Sequence, residues 1–176
     1  ICFKVLNLDK SSEVLVPSFT FVASVNSIVY NSCIPHFIEI DEKTLGIDPV
    51  KLSDYLKKIL KYSGGEYKNK NTGNAVKAIL VVHPYGYPCD ILKVKKVAKE
   101  YNLKIIEDSA ECFGSYVNHK HLGTYGDVGV LSFNGNKIVT SAQGGAIIAS
   151  NSKYDERVKK YINLFKENKR QRDIFI

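Results

Sequence analysis

The feature that most constrains this chain is an alternation of short apolar runs with longer amphipathic segments along almost its whole length. Residues 13–16, 37–40, 78–82, 104–106, 128–133 and 146–148 are short, rich in Val, Ile and Leu, and read as strands. Most of these runs offer no polar face to water, so they belong in a sheet covered on both sides. Residues 22–30, 49–61, 91–101 and 153–165 carry helical periodicity between them. Asp48 is placed to cap the second of these helices with Pro49 at its first position, and Asp90 opens the third. In the last, Val158, Tyr161, Ile162 and Phe165 make one apolar stripe. Apolar strands separated by helices predict a mainly parallel sheet in a three-layer α/β/α sandwich. The polar stretch 62–74, rich in Gly and Asn, reads as a surface loop.

Length and composition remove several functional classes. A chain of 176 residues, 44% of them hydrophobic, fits one domain with one sizeable core. It has no apolar run long enough for a membrane span, and its first residues do not read as a signal peptide. The chain contains no methionine, from which the natural N-terminus is expected to lie upstream of Ile1. Cys2, Cys33, Cys89 and Cys112 show no C-x-x-C spacing and no histidine at metal-ligand spacing. Reduced thiols in a cytoplasmic protein are therefore expected, with neither a disulfide framework nor a metal site. The net charge of +7 raises nucleic acid as a partner. The lysines, however, are spread over separate helices and diluted by acidic and apolar residues, so they read as a solvated face.

In sheets of this kind ligands bind beyond the carboxyl ends of the strands. Several chemically distinctive segments fall there. Pro17-Ser18-Phe19-Thr20-Phe21 follows the first strand, and His83-Pro84-Tyr85-Gly86 follows the third. Asp108 follows the fourth, Ser132 lies at the end of the fifth, and Asn134-Gly135-Asn136-Lys137 turns away from it. No G-x-G-x-x-G follows a strand and opens a helix, which argues against a dinucleotide-binding domain.

Taken in order, V-P-S-F-T-F-V-A-S (16–24), V-H-P-Y-G (82–86), I-E-D-S-A-E (106–111), S-F-N-G-N-K (132–137) and Q-G-G-A-I (143–147) resemble the DegT/StrS nucleotide-sugar aminotransferases. These belong to the fold-type I enzymes that use pyridoxal 5'-phosphate (PLP). The resemblance spans residues 14–165, and the segment N-K-N-T-G-N-A-V-K-A-I (69–79) further resembles the branch on the way to legionaminic acid.

The resemblance implies a role for each matching position. Lys137 would bond covalently to the cofactor and, once released, move a proton between substrate and cofactor. Asp108 would pair with the pyridine nitrogen and keep it protonated, so that the ring accepts electrons. Phe21 would stack on the ring, and Ser132 would hold the phosphate. Glu111 stands near the position of the phenolic oxygen, where relatives often carry His or Gln, and His83 either lines the site or serves the core.

The implied reaction moves an amino group, from glutamate as the expected donor, to a keto group of a nucleotide-linked sugar in glycan synthesis. The implied assembly is a homodimer with sites at the interface. The implied domain is the PLP-binding large domain over 1–176, lacking an upstream phosphate loop and a small C-terminal domain. A PLP-dependent sugar dehydratase of the same fold carries histidine in place of the lysine, and Lys137 speaks against it. A non-catalytic or degenerate relative that only binds a partner is the reading from a different class.

Overall fold

A computed structural model describes residues 1–173. Its central sheet has six strands in the order β10-β9-β6-β5-β1-β2. These are β1 (Glu13–Pro17), β2 (Ile34–Ile38), β5 (Val76–Val82), β6 (Lys104–Asp108), β9 (Val128–Ser132) and β10 (Gly145–Ala149). All neighbours pair in parallel except β9 and β10, so the sheet is mainly parallel with one antiparallel edge.

Alternation along the strands assigns each face its helices. Leu15, Ile79, Val81 and Ile105 pack with Leu52 and Leu56 of α3 (Pro49–Ile59) and with Ile91 and Val94 of α4 (Ile91–Glu100). Val14, Val16, Leu80 and Ile106 point the other way. They meet Phe3 of α1 (Cys2–Val5), Ile28 of α2 (Val22–Tyr30) and Val158 of α5 (Ser152–Asp173). Three layers result, as the apolar strands predicted.

The helix starts follow local chemistry. Asp48 accepts from the amides of Val50 and Lys51 at 2.8 and 3.0 Å, with Pro49 at the first position of α3. Asp90 accepts from the amide of Lys93 at 3.1 Å at the start of α4.

Three expectations are corrected. β2 begins three residues before the expected 37 and ends at Ile38, taking in Pro35. Proline is tolerated there because β2 is an edge strand, where a missing N–H leaves no ladder bond unmade. The expected loop 62–74 is in large part a hairpin, β3 (Leu60–Ser63) and β4 (Glu66–Asn69). Gly64 and Gly65, at φ +64° and +84°, form its two-residue turn, and Tyr62 and Tyr67 meet edge to face at 5.2 Å. In α5 Val158 is buried, but Phe165, assigned to the same apolar stripe, is 54% exposed. The short pair β7 (Tyr116–Val117) and β8 (Lys120–His121) gave no recognisable pattern in the sequence. The apolar tail 174–176 lies outside the described residues. The four cysteines are all free and buried.

Candidate active site

Parallel pairing brings the carboxyl ends of β1, β5, β6 and β9 to one edge of the sheet, where a cavity of about 900 Å³ opens. The segments singled out in the sequence line it: Phe21, Ser24, Asp108, Glu111, Ser132 and Lys137 all contribute.

Asp108 is the last residue of β6, beside Val130 of β9 and Val82 of β5. Its Oδ1 accepts from the Ala110 amide at 3.2 Å, which tightens the turn after the strand. Its Oδ2 accepts the Ser24 hydroxyl at 2.5 Å. The carboxylate is thus a turn residue and a wall of the cavity at once.

Lys137 sits on the connection from β9 to the antiparallel β10, and its amide donates to the Asn134 carbonyl at 3.0 Å. Its side chain is only 18% exposed, with Nζ 3.3 Å from Glu111 Oε1. The other oxygen of Glu111 accepts from the Tyr85 amide at 2.7 Å. Tyr85 adopts φ +55°, a conformation uncommon for a side-chain-bearing residue, and Glu111 is the acceptor of its amide.

Phe21 is the N-cap residue of α2 and stands 76% exposed at the cavity. Ser132 ends β9, and its Oγ accepts from the Asn134 amide at 3.4 Å, which leaves its own proton free to donate into the cavity.

His83 contributes to the cavity wall, but its ring is held in the core. Its ring is fully buried, Nδ1 accepts from the Cys89 amide at 3.3 Å, and Nε2 lies 3.3 Å from Glu107 Oε2. Because Nδ1 accepts, the proton sits on Nε2 and is donated to the carboxylate. Glu107 also accepts from the amides of Gly123 at 2.9 Å and Gly126 at 2.5 Å. Burial pushes its carboxyl up, and donation from His83, Gly123 and Gly126 outweighs that, leaving it below its ordinary value.

The residue missed in the sequence is Ser24. It lies in the same motif as Phe21, three positions on, so helical spacing alone would have placed both on one face of α2.

The cavity's donor set suits an anionic aromatic aldehyde. It offers a primary amine, a carboxylate for a protonated ring nitrogen, an exposed aromatic face and a free hydroxyl. The sandwich together with such a site defines the large-domain architecture of the fold-type I PLP enzymes. The chain belongs to the DegT/DnrJ/EryC1/StrS aminotransferase family, whose model matches residues 1–174.

It is 40% identical over 150 residues to GDP-perosamine synthase of Vibrio cholerae, covering 85% of this chain and 36% of that protein. It is 34% identical to dTDP-3-amino-3,6-dideoxy-alpha-D-galactopyranose transaminase of Aneurinibacillus thermoaerophilus, covering 94% of this chain and 44% of that one. NtdA from Bacillus subtilis, solved with bound cofactor PMP, superposes with a TM-score of 0.70 at 27% identity, over 86% of this chain and 31% of its own. The chain therefore spans less than half the length of these relatives.

Proposed function

We propose that this chain is the cofactor-binding part of a PLP-dependent aminotransferase that carries an amino group from an amino-acid donor to a keto carbon of a nucleotide-linked sugar. Glutamate is the donor we expect. The observation that carries the reading is that the amine of Lys137, on the connection after β9, and the carboxylate of Asp108, at the end of β6, line one cavity.

When bound, the cofactor supplies an aldehyde that takes up and releases the amino group, and a ring that withdraws electrons. The remaining work falls to the chain. Asp108, held by Ser24 and Ala110, presents a fixed anion to the ring nitrogen. Phe21 and Ser132 line the cavity where the one would cover a face of the ring and the other would donate its hydroxyl proton to the phosphate. Lys137 would move a proton to and from the substrate carbon through its Nζ, and Glu111, 3.3 Å away, would hold its ammonium.

The apolar rim of the cavity is exposed at Phe19, Phe21 and Tyr85. A second copy of the full-length protein would cover this rim, and a cytoplasmic homodimer is the state that suits it. Among the described residues no helix is long and apolar enough to cross a membrane.

The test uses the full-length protein loaded with PLP. Borohydride should fix the cofactor on Lys137, located by peptide mass spectrometry, and Lys137→Ala should lose both the label and amino transfer to a nucleotide-linked keto-sugar. Labelling of a different lysine would overturn the assignment.

A further inference from the structure

Ser24 is 5% exposed and sits in the first turn of α2, 84 residues from Asp108 in the sequence. A serine hydroxyl commonly bonds to backbone groups near it in sequence. Here the hydroxyl points across to the sheet edge and donates to Asp108 Oδ2 at 2.5 Å. The other oxygen of the same carboxylate is held by the Ala110 amide at 3.2 Å. One donor on each oxygen fixes the plane of the group, which a single donor would leave free to swing.

Ser24 is itself anchored. Its amide donates to the Phe21 carbonyl at 3.0 Å, and its own carbonyl accepts the Ser27 hydroxyl at 2.7 Å. The first turn of α2 therefore sets two walls of the cavity together. Phe21 caps that turn, and Ser24 reaches from it to the carboxylate.

We propose that Ser24 is a positioning residue of the active site, orienting Asp108 toward the ring nitrogen of the cofactor through its hydroxyl. The inference rests on the function proposed above. It predicts that the hydroxyl matters through Asp108 and not through the packing of α2. A hydrogen bond from a neutral donor to a charged acceptor is of a strength that corresponds to about tenfold or more in rate.

The experiment loads the full-length protein with PLP labelled with ¹⁵N at the ring. It reads the nitrogen chemical shift, kcat and KM for the nucleotide-linked keto-sugar, and melting temperature. For Ser24→Ala we expect the ¹⁵N signal to move toward its unprotonated position and kcat to fall about tenfold or more, with KM and melting temperature little changed. Ser24→Thr, which keeps the hydroxyl, should restore both the signal and kcat. Ser24→Cys keeps the volume with a much weaker donor, and it decides the matter if the alanine variant fails to fold: it should resemble the alanine pattern.

An unmoved ¹⁵N signal with wild-type kcat in the alanine or cysteine variant overturns the proposal. So does a loss that tracks melting temperature alone and is not restored by threonine. If the wild-type protein itself takes up no PLP on Lys137, the proposed function fails. If it does and Ser24→Ala behaves as wild type, only the role of Ser24 fails.

Discussion

Glu107→Gln tests the reasoning about the buried clasp beneath the cavity. Glu107 is fully buried and accepts from His83 Nε2 at 3.3 Å, from the Gly123 amide at 2.9 Å and from the Gly126 amide at 2.5 Å. Oε2 serves His83 and Gly123, and Oε1 serves Gly126. Glutamine has one acceptor oxygen. If it takes the first two donors, its amide N–H faces that of Gly126 and a buried donor is left without a partner. The variant loses one charge-assisted bond, weakens two others and leaves that donor unpaired, so about 3 kcal/mol is the expected loss. Against a total stability of about 5–15 kcal/mol this is large, and for a domain of this size it corresponds to a melting point lower by about 6–12 °C.

The pH dependence carries a sign that a general packing defect would not reproduce. The folded carboxyl titrates below its ordinary value of 4.5, so its contribution is full above that value and is lost as the pH falls beneath it. Wild type should therefore lose stability more steeply than Glu107→Gln between about pH 5 and pH 3. The slope will not vanish in the variant, because buried Glu13 has a carboxyl held low in the same way. Burial raises it, and donation from Asn69, Thr72 and His36 more than offsets the rise. Urea denaturation at a series of pH values measures both quantities. A variant within about 1 kcal/mol of wild type at neutral pH, or one with the same acid slope, refutes the account.

Three further outcomes are expected. A Cβ at Gly129 would lie 2.0 Å from the Gly123 carbonyl oxygen, so Gly129→Ala must push the 121–127 segment off β9 and should cost about 1–3 kcal/mol or more, read as a lower urea midpoint; an unchanged midpoint would contradict the close approach. Asp108→Asn in the full-length protein should retain folding and PLP, because asparagine keeps the turn, while kcat drops about a thousandfold through loss of the anion at the ring nitrogen; near-normal turnover with cofactor bound would reduce Asp108 to a turn residue. Asp48→Ala removes the acceptor for the amides of Val50 and Lys51 and should destabilise by about 1 kcal/mol without touching the cavity; a larger loss, or one accompanied by altered cofactor binding, would show that α3 is coupled to the site.

Much of this protein is written locally. The apolar runs specify strands because a stretch without a polar face can be buried only between two layers, and Asp48, Pro49 and Asp90 specify helix starts because capping acts within three residues. The double glycine at 64–65 was also a legible signal for a two-residue hairpin turn, although the polar residues around it read as loop. The positions of Phe21, Asp108, Ser132 and Lys137 at strand ends followed from the same patterns and from their order along the chain.

What the tertiary structure alone decided are relations between residues far apart in sequence. Local periodicity says that a strand exists, but not which strand lies beside it. The early start of β2 came from its pairing with β1, which sets Pro35 opposite Val14 at an edge where proline is harmless. The ring of His83 could have faced the cavity or the core, and its two partners, Cys89 and Glu107, settle the ring in the core. Ser24 meets Asp108 only because α2 packs over the end of β6, across 84 residues of chain. The hydroxyl of a serine does not announce its acceptor in a sequence, since a hydrogen bond depends on position within a few tenths of an ångström, and only packing supplies that.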